Sequence, residues 1–110
     1  MTERVVIVEG VRTPIGRFGG TLKNVSSGFL AAHVITALLN KTGIHPEQVE
    51  EVILGEVRQT TESSNVARVA AIRANIPVEV PAFTINRLCA SGMQAIASGV
   101  QQIQSGHAPI

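Results

Sequence analysis

Residues 81–93 read Pro81-Ala82-Phe83-Thr84-Ile85-Asn86-Arg87-Leu88-Cys89-Ala90-Ser91-Gly92-Met93, and apolar Ile96, Ala97, Val100 and Ile103 follow before Gly106. Pro81 to Ile85 is extended in character. From about Cys89 the apolar positions recur every three to four residues, so the stretch predicts a strand that turns directly into a helix closed by Gly106. On this reading Met93, Ile96, Ala97 and Val100 make the buried stripe of that helix.

The same alternation runs back toward the N-terminus. A helix is expected to start near Asn65, to bury Val66, Val69, Ala70 and Ile72, and to be over before Pro77. Ahead of it Val52-Ile53-Leu54 reads as a buried strand stopping at Gly55, preceded by a short helical turn opened by His45-Pro46-Glu47. A further helix starts at Ser26 or Ser27, where a hydroxyl can cap free backbone N–H groups, and runs through Leu30, Val34, Ala37 and Leu38 to Gly43. Arg12 to Gly20 is dense in Gly and Pro and must be a loop. Val5 to Val8 is a continuous β-branched run of the kind that suits a strand buried on both faces of a parallel sheet.

Strand and helix thus alternate three times, which predicts an α/β fold with right-handed crossovers and a mostly parallel sheet with packed helices. Ala108-Pro109-Ile110 falls where another strand is due. The sheet is therefore expected to be incomplete, with residues 1–110 forming one partial domain.

Composition narrows the function classes. The chain has 110 residues, 45% of them hydrophobic and 15% charged, a balance that supplies enough apolar surface for a folded core. The net charge is +1 and the basic residues are scattered, so no basic stripe exists to follow a phosphate backbone and no nucleic-acid partner is expected. All eight acidic residues are Glu, which removes the Asp-rich calcium loop and argues against a metal site. The apolar run after Arg4 is too short for a signal-peptide core or a membrane span, so a cytoplasmic protein with no membrane partner is expected. The single cysteine cannot form an internal disulfide, which agrees with a reducing compartment.

That cysteine, Cys89, sits between a strand and a helix. Unpaired N–H groups and the dipole of a helix N-terminus favour a thiolate, the form that attacks a carbonyl carbon. Ala90, Ser91 and Gly92 are small and leave the sulfur approachable. A nucleophile on a strand-to-helix turn is a known arrangement for acyl transfer, its own N–H being placed to stabilise an oxyanion. Lone cysteines are also commonly small buried hydrophobes, and from residue chemistry alone the catalytic and structural roles stand about even.

Asn86-Arg87-Leu88-Cys89-Ala90-Ser91-Gly92-Met93-Gln94-Ala95 resembles the thiolase active-site signature. Arg12 to Gly20 resembles the first thiolase loop, and Val78 to Asn86 the strand leading to the nucleophile. The resemblance runs from about Val5 to the end of the chain, in the family's order. It implies a thiolase-like N-terminal half-domain, incomplete, from a layered fold of two similar halves. It further implies acyl transfer between coenzyme A thioesters through an acyl-Cys89, whose backbone N–H is one donor to the thioester oxygen. Acyl-CoA and CoA are then substrates, no cofactor is held permanently, and the whole protein is a homodimer or homotetramer. The family's activating histidine and second cysteine come from parts of the fold outside this chain, so these residues are expected to be inactive alone.

His33, His45 and His107 match none of the thiolase histidine motifs and read as surface or loop residues. Arg12, Arg68 and Arg87 read as solvated or ion-paired side chains, and no residue is assigned to CoA binding. The segment Ser63-Ser64-Asn65-Val66-Ala67-Arg68 keeps the Asn, Ala and Arg of the corresponding thiolase loop but not its Gly, Gln and Pro. Two alternatives stand beside the thiolase reading. One is a truncated, non-catalytic fragment or interaction module of thiolase ancestry. The other is a decarboxylating ketoacyl synthase, against which the Asn-Arg-Leu-Cys-Ala-Ser-Gly match weighs.

Overall fold

A computed structural model describes residues 4–110. Its first regular element is helix α1, Ser27–Thr42. Ser26 caps it as expected, accepting a hydrogen bond from the Phe29 N–H, and Gly43 ends it in the left-handed conformation (φ 73°) with its N–H donating to the Leu39 carbonyl. Gly28 and Ala32 are buried on one face of α1. A single turn of 3-10 helix, Pro46–Gln48, leads into strand β1, Val52–Gly55.

Helix α2, Val66–Arg73, crosses to strand β2, Ala82–Ile85, and helix α3, Ser91–Gln104, follows. The two strands pair in parallel, Val52 opposite Ala82 through Gly55 opposite Ile85. Helices α2 and α3 both pack on this sheet, and α1 packs on α2. The core cluster is Val52, Ala67, Ala71, Ala74 and Ile76, with Ile35, Leu39, Leu54 and Val80 packed around it. Alanine on α2 lets helix and strand backbones approach closely, but each buried methylene-sized group contributes only roughly 0.8 kcal/mol. The core is correspondingly thin.

A polar hub fixes α2 to β2. Asn65 caps α2 by accepting from the Arg68 N–H, accepts from the Thr84 hydroxyl at 2.6 Å, and donates to the Ala82 carbonyl at 3.2 Å. The Ala67 N–H donates to Thr84 Oγ1, and the Arg68 guanidinium donates to the carbonyls of Val80 and Val78. Asn65, Ala67 and Arg68 therefore tie the helix start to the strand that carries the chain toward Cys89.

Ile72, expected to be buried, is 42% exposed, because the covered side of α2 is the one with Val66, Ala67, Ala70 and Ala71; two larger expectations are also corrected. Val5 to Val8 forms no strand, and Val6, Ile7 and Val8 are 65%, 81% and 69% exposed. Residue chemistry favoured a strand, but a strand exists only when a partner edge pairs with it. Here the segment instead lies beside an apolar cleft of about 360 Å³ whose walls include Val8, Ile35, Leu39, Val52 and Leu54. An ion pair of Glu9 with Lys41 at 3.5 Å holds it to α1, and the Gly10 N–H and the Lys41 ammonium keep the Glu9 carboxyl below the usual glutamate range.

The second correction concerns α3. Its buried residues are Ser91 and Ala95, whereas Met93 and Ile96 are 78% and 61% exposed. Of the stripe expected to be buried, Met93, Ile96 and Ala97 are exposed and Val100 is half-buried, because it is a side of the helix with small residues, Ser91 and Ala95, that is covered.

Candidate functional site

Between Ile85, the last residue of β2, and Ser91, the first of α3, the chain reverses in a tight elbow. Leu88 sits there at φ 51°, a left-handed conformation that costs a residue with a side chain on the order of 1–2 kcal/mol. Neighbouring polar groups hold it. The Leu88 N–H donates to Asn86 Oδ1 at 2.9 Å, and Asn86 Nδ2 donates to the Val57 carbonyl at 3.0 Å, tying the elbow to the segment that follows β1.

Ser91 closes the elbow from the other side. Its Oγ accepts from the Arg87 N–H at 2.9 Å and donates to the Leu88 carbonyl at 2.7 Å, and its own N–H donates to that carbonyl at 3.1 Å. Ser91 is only 3% exposed. Its hydroxyl thus works as one donor and one acceptor in a site shielded from water, where either bond left unmade would be costly. Arg87 is drawn aside by Gln94, which accepts from its guanidinium at 2.7 Å.

Cys89 stands on the crest of this elbow, exposed and free of any disulfide. It lies two positions ahead of the first residue of α3, and Ala90 at the N-cap offers no side-chain acceptor to the helix N–H groups. Among the described residues, the Cys89 N–H donates no hydrogen bond. The sequence-predicted position of Cys89 at a strand-to-helix junction is therefore what the structure has.

The remaining candidates lie elsewhere. His33 is exposed on α1, and His45 stands at the N-terminal boundary of the 3-10 turn ahead of β1, at the end of the sheet away from Cys89. His107 follows the C-terminal end of α3, roughly 20 Å along the helix from Cys89 at 1.5 Å per residue. Arg68 spends its guanidinium on backbone carbonyls, and Arg12 donates to the Thr13 carbonyl. One residue escaped the sequence reading: Glu56, just after β1, has a buried Oε1 with no partner among the described residues. A glutamate after a short strand carries no pattern that would have marked it. Among the described residues no group of three His, Cys or Glu is placed to hold a metal ion, and no helix is long and apolar enough to cross a membrane.

The family model for the thiolase N-terminal domain matches residues 5–110. This chain belongs to the thiolase family. It is 49% identical over 110 residues to an acetyl-CoA acetyltransferase of Syntrophomonas wolfei, covering all of this chain and 28% of that protein. Among solved structures it is similar to the Bacillus anthracis acetyl-CoA acetyltransferase, with a TM-score of 0.84 and 50% identity over 87% of this chain and 24% of the other. Human mitochondrial 3-ketoacyl-CoA thiolase in complex with CoA matches with the same TM-score at 42% identity, over 88% of this chain and 25% of that one. The chain spans about a quarter of the length of these thiolases, and the elbow with Cys89 lies within the matched region.

Proposed function

We propose that Cys89 is the acyl acceptor of a thiolase-type acyltransferase that moves acyl groups between coenzyme A thioesters. The observation that carries this reading is the exposed Cys89 on a hydrogen-bonded elbow, its own N–H without an acceptor among the described residues. The sulfur attacks the carbonyl carbon of an acyl-CoA and a new carbon–sulfur bond forms while negative charge gathers on the carbonyl oxygen. The Cys89 N–H is one donor to that oxygen. Collapse of the adduct breaks the bond to the CoA sulfur, which leaves with the proton the Cys89 thiol has given up. The products are an acyl-Cys89 thioester and free CoA, and a second acceptor then takes the acyl group.

Full turnover needs a base for the Cys89 thiol and an acid/base group for the acceptor, and His33 on α1, His45 at the 3-10 turn and His107 after α3 all lie off the elbow that carries Cys89. These residues therefore hold the acylation half of the chemistry, completed in a longer thiolase by other parts of the fold and, in this reading, by a homodimer or homotetramer in the cytoplasm. No cofactor is required beyond the CoA thioesters themselves. Incubation with acetyl-CoA followed by intact mass measurement tests the reading. One acetyl group is expected on the wild-type chain, none on Cys89→Ala, and loss of the group when excess CoA is added. An acetyl group on lysine instead of Cys89 would sink it, and complete absence would show that these residues are inert alone.

A further inference from the structure

The geometry points to Ser91 as the positioning residue that aims the Cys89 N–H at the acyl oxygen. In a trans peptide the C=O and the N–H point in opposite directions. The carbonyl of Leu88 and the N–H of Cys89 belong to one peptide unit, so whatever holds the carbonyl also orients the N–H. Two bonds hold it, from the Ser91 hydroxyl at 2.7 Å and the Ser91 N–H at 3.1 Å, and both draw it toward the start of α3. The N–H is thereby turned away from the helix, on the side where Cys89 is exposed and where no acceptor among the described residues competes for it.

The hydroxyl is itself fixed. It accepts from the Arg87 N–H and lies 3% exposed, with the β1 backbone at Gly55 packed against the Ser91 carbonyl. Water cannot replace it. Losing it would leave the Leu88 carbonyl with one bond and the Arg87 N–H with none, and the peptide plane would be free to turn. Removing a whole oxyanion donor costs a hundredfold or more, so mis-aiming one is expected to cost about tenfold or more.

This role rests on the acyl-acceptor reading of Cys89, and its test is separable from it. Two probes are used on the 110-residue chain. p-Nitrophenyl acetate acylates the sulfur through a tetrahedral oxyanion, forming the thioester and releasing p-nitrophenolate, without needing a CoA site. Iodoacetamide alkylates the same sulfur at a saturated carbon, displacing iodide with no oxyanion. Ser91→Ala is expected to slow acylation by p-nitrophenyl acetate about tenfold or more while iodoacetamide alkylation stays within about twofold. Ser91→Thr, which keeps the hydroxyl, is expected to restore the ratio. Equal slowing of both reactions, or of neither, would overturn the assignment. If the variants do not fold, amide hydrogen exchange on the wild type decides. The Cys89 amide is expected to exchange freely while those of Arg87, Leu88 and Ser91 are protected, and a protected Cys89 amide would contradict the proposal. A chain that ignores acetyl-CoA yet shows the shifted ratio would discard the CoA reading and keep this one.

Discussion

Gly55 lies against Ser91 so closely that a β-carbon on it would stand 2.5 Å from the Ser91 carbonyl carbon and 2.6 Å from its oxygen. Strand β1 therefore meets the start of α3 backbone to backbone, directly beneath the elbow that carries Cys89. Because the obstructing atoms are main chain, no side-chain rotation relieves the clash. Gly55→Ala is expected to destabilise the chain by about 1–3 kcal/mol, the range for forced overpacking. Urea denaturation checks this, and an unchanged midpoint would show that the contact is looser than described.

The Asn65 hub gives a second prediction. Asn65→Ala removes the cap of α2 and strands the Thr84 hydroxyl and the Ala82 carbonyl. A lost cap costs about 1 kcal/mol and each unsatisfied buried partner about as much again, so a total near 2–3 kcal/mol is expected. Asn65→Asp keeps the acceptor and loses only the bond to Ala82, and should fall between Ala and wild type in thermal melts.

Much of this architecture was legible before any coordinates. Ser26, Gly43, Asn65 and Gly106 marked helix ends because capping and left-handed termination are local, decided by a few neighbouring residues. The junction at Cys89 was legible for the same reason, and its motif carried the family. The hub was not, because Asn65 and Thr84 lie far apart in sequence and only the fold brings them together. Val5 to Val8 failed for a related reason: β-branched composition states that a segment can pair, and says nothing of whether an edge is there to receive it. The bonds of Ser91 with Leu88 and Arg87 were equally hidden, since a small polar residue beside a cysteine reads first as room for a substrate.

The corrected face of α3 is open to direct test. Met93 and Ile96 are exposed, so Met93→Gln and Ile96→Gln should each change stability by no more than about 0.5 kcal/mol. Ala95 is buried against the sheet, and Ala95→Asp should be severely destabilising because it places an unpaired carboxylate in that contact. Chemical denaturation of the three variants distinguishes the faces. A large loss at Met93 would restore the stripe that periodicity alone suggested.

Glu9 gives a prediction about pH. Its carboxyl titrates below the ordinary glutamate value, chiefly through the Gly10 N–H and then through Lys41. A depressed folded value means that the contribution is present above the unfolded value and is lost as pH falls through the folded one. In an NMR titration, Gly10→Pro should raise the Glu9 midpoint, and Lys41→Met should raise it less. A larger response to Lys41→Met would reverse the order of causes.

On the proposed reading the folded elbow, and not merely the presence of a thiol, makes Cys89 an acyl acceptor. The most direct test is the rate at which acetyl-CoA acetylates Cys89 in the folded chain and in the same chain unfolded in urea, each normalised to its iodoacetamide rate. The normalised rate is expected to be about tenfold or more higher in the folded chain, where the Ser91 hydroxyl holds the Leu88 carbonyl. Equal rates, or a faster unfolded chain, would contradict the account.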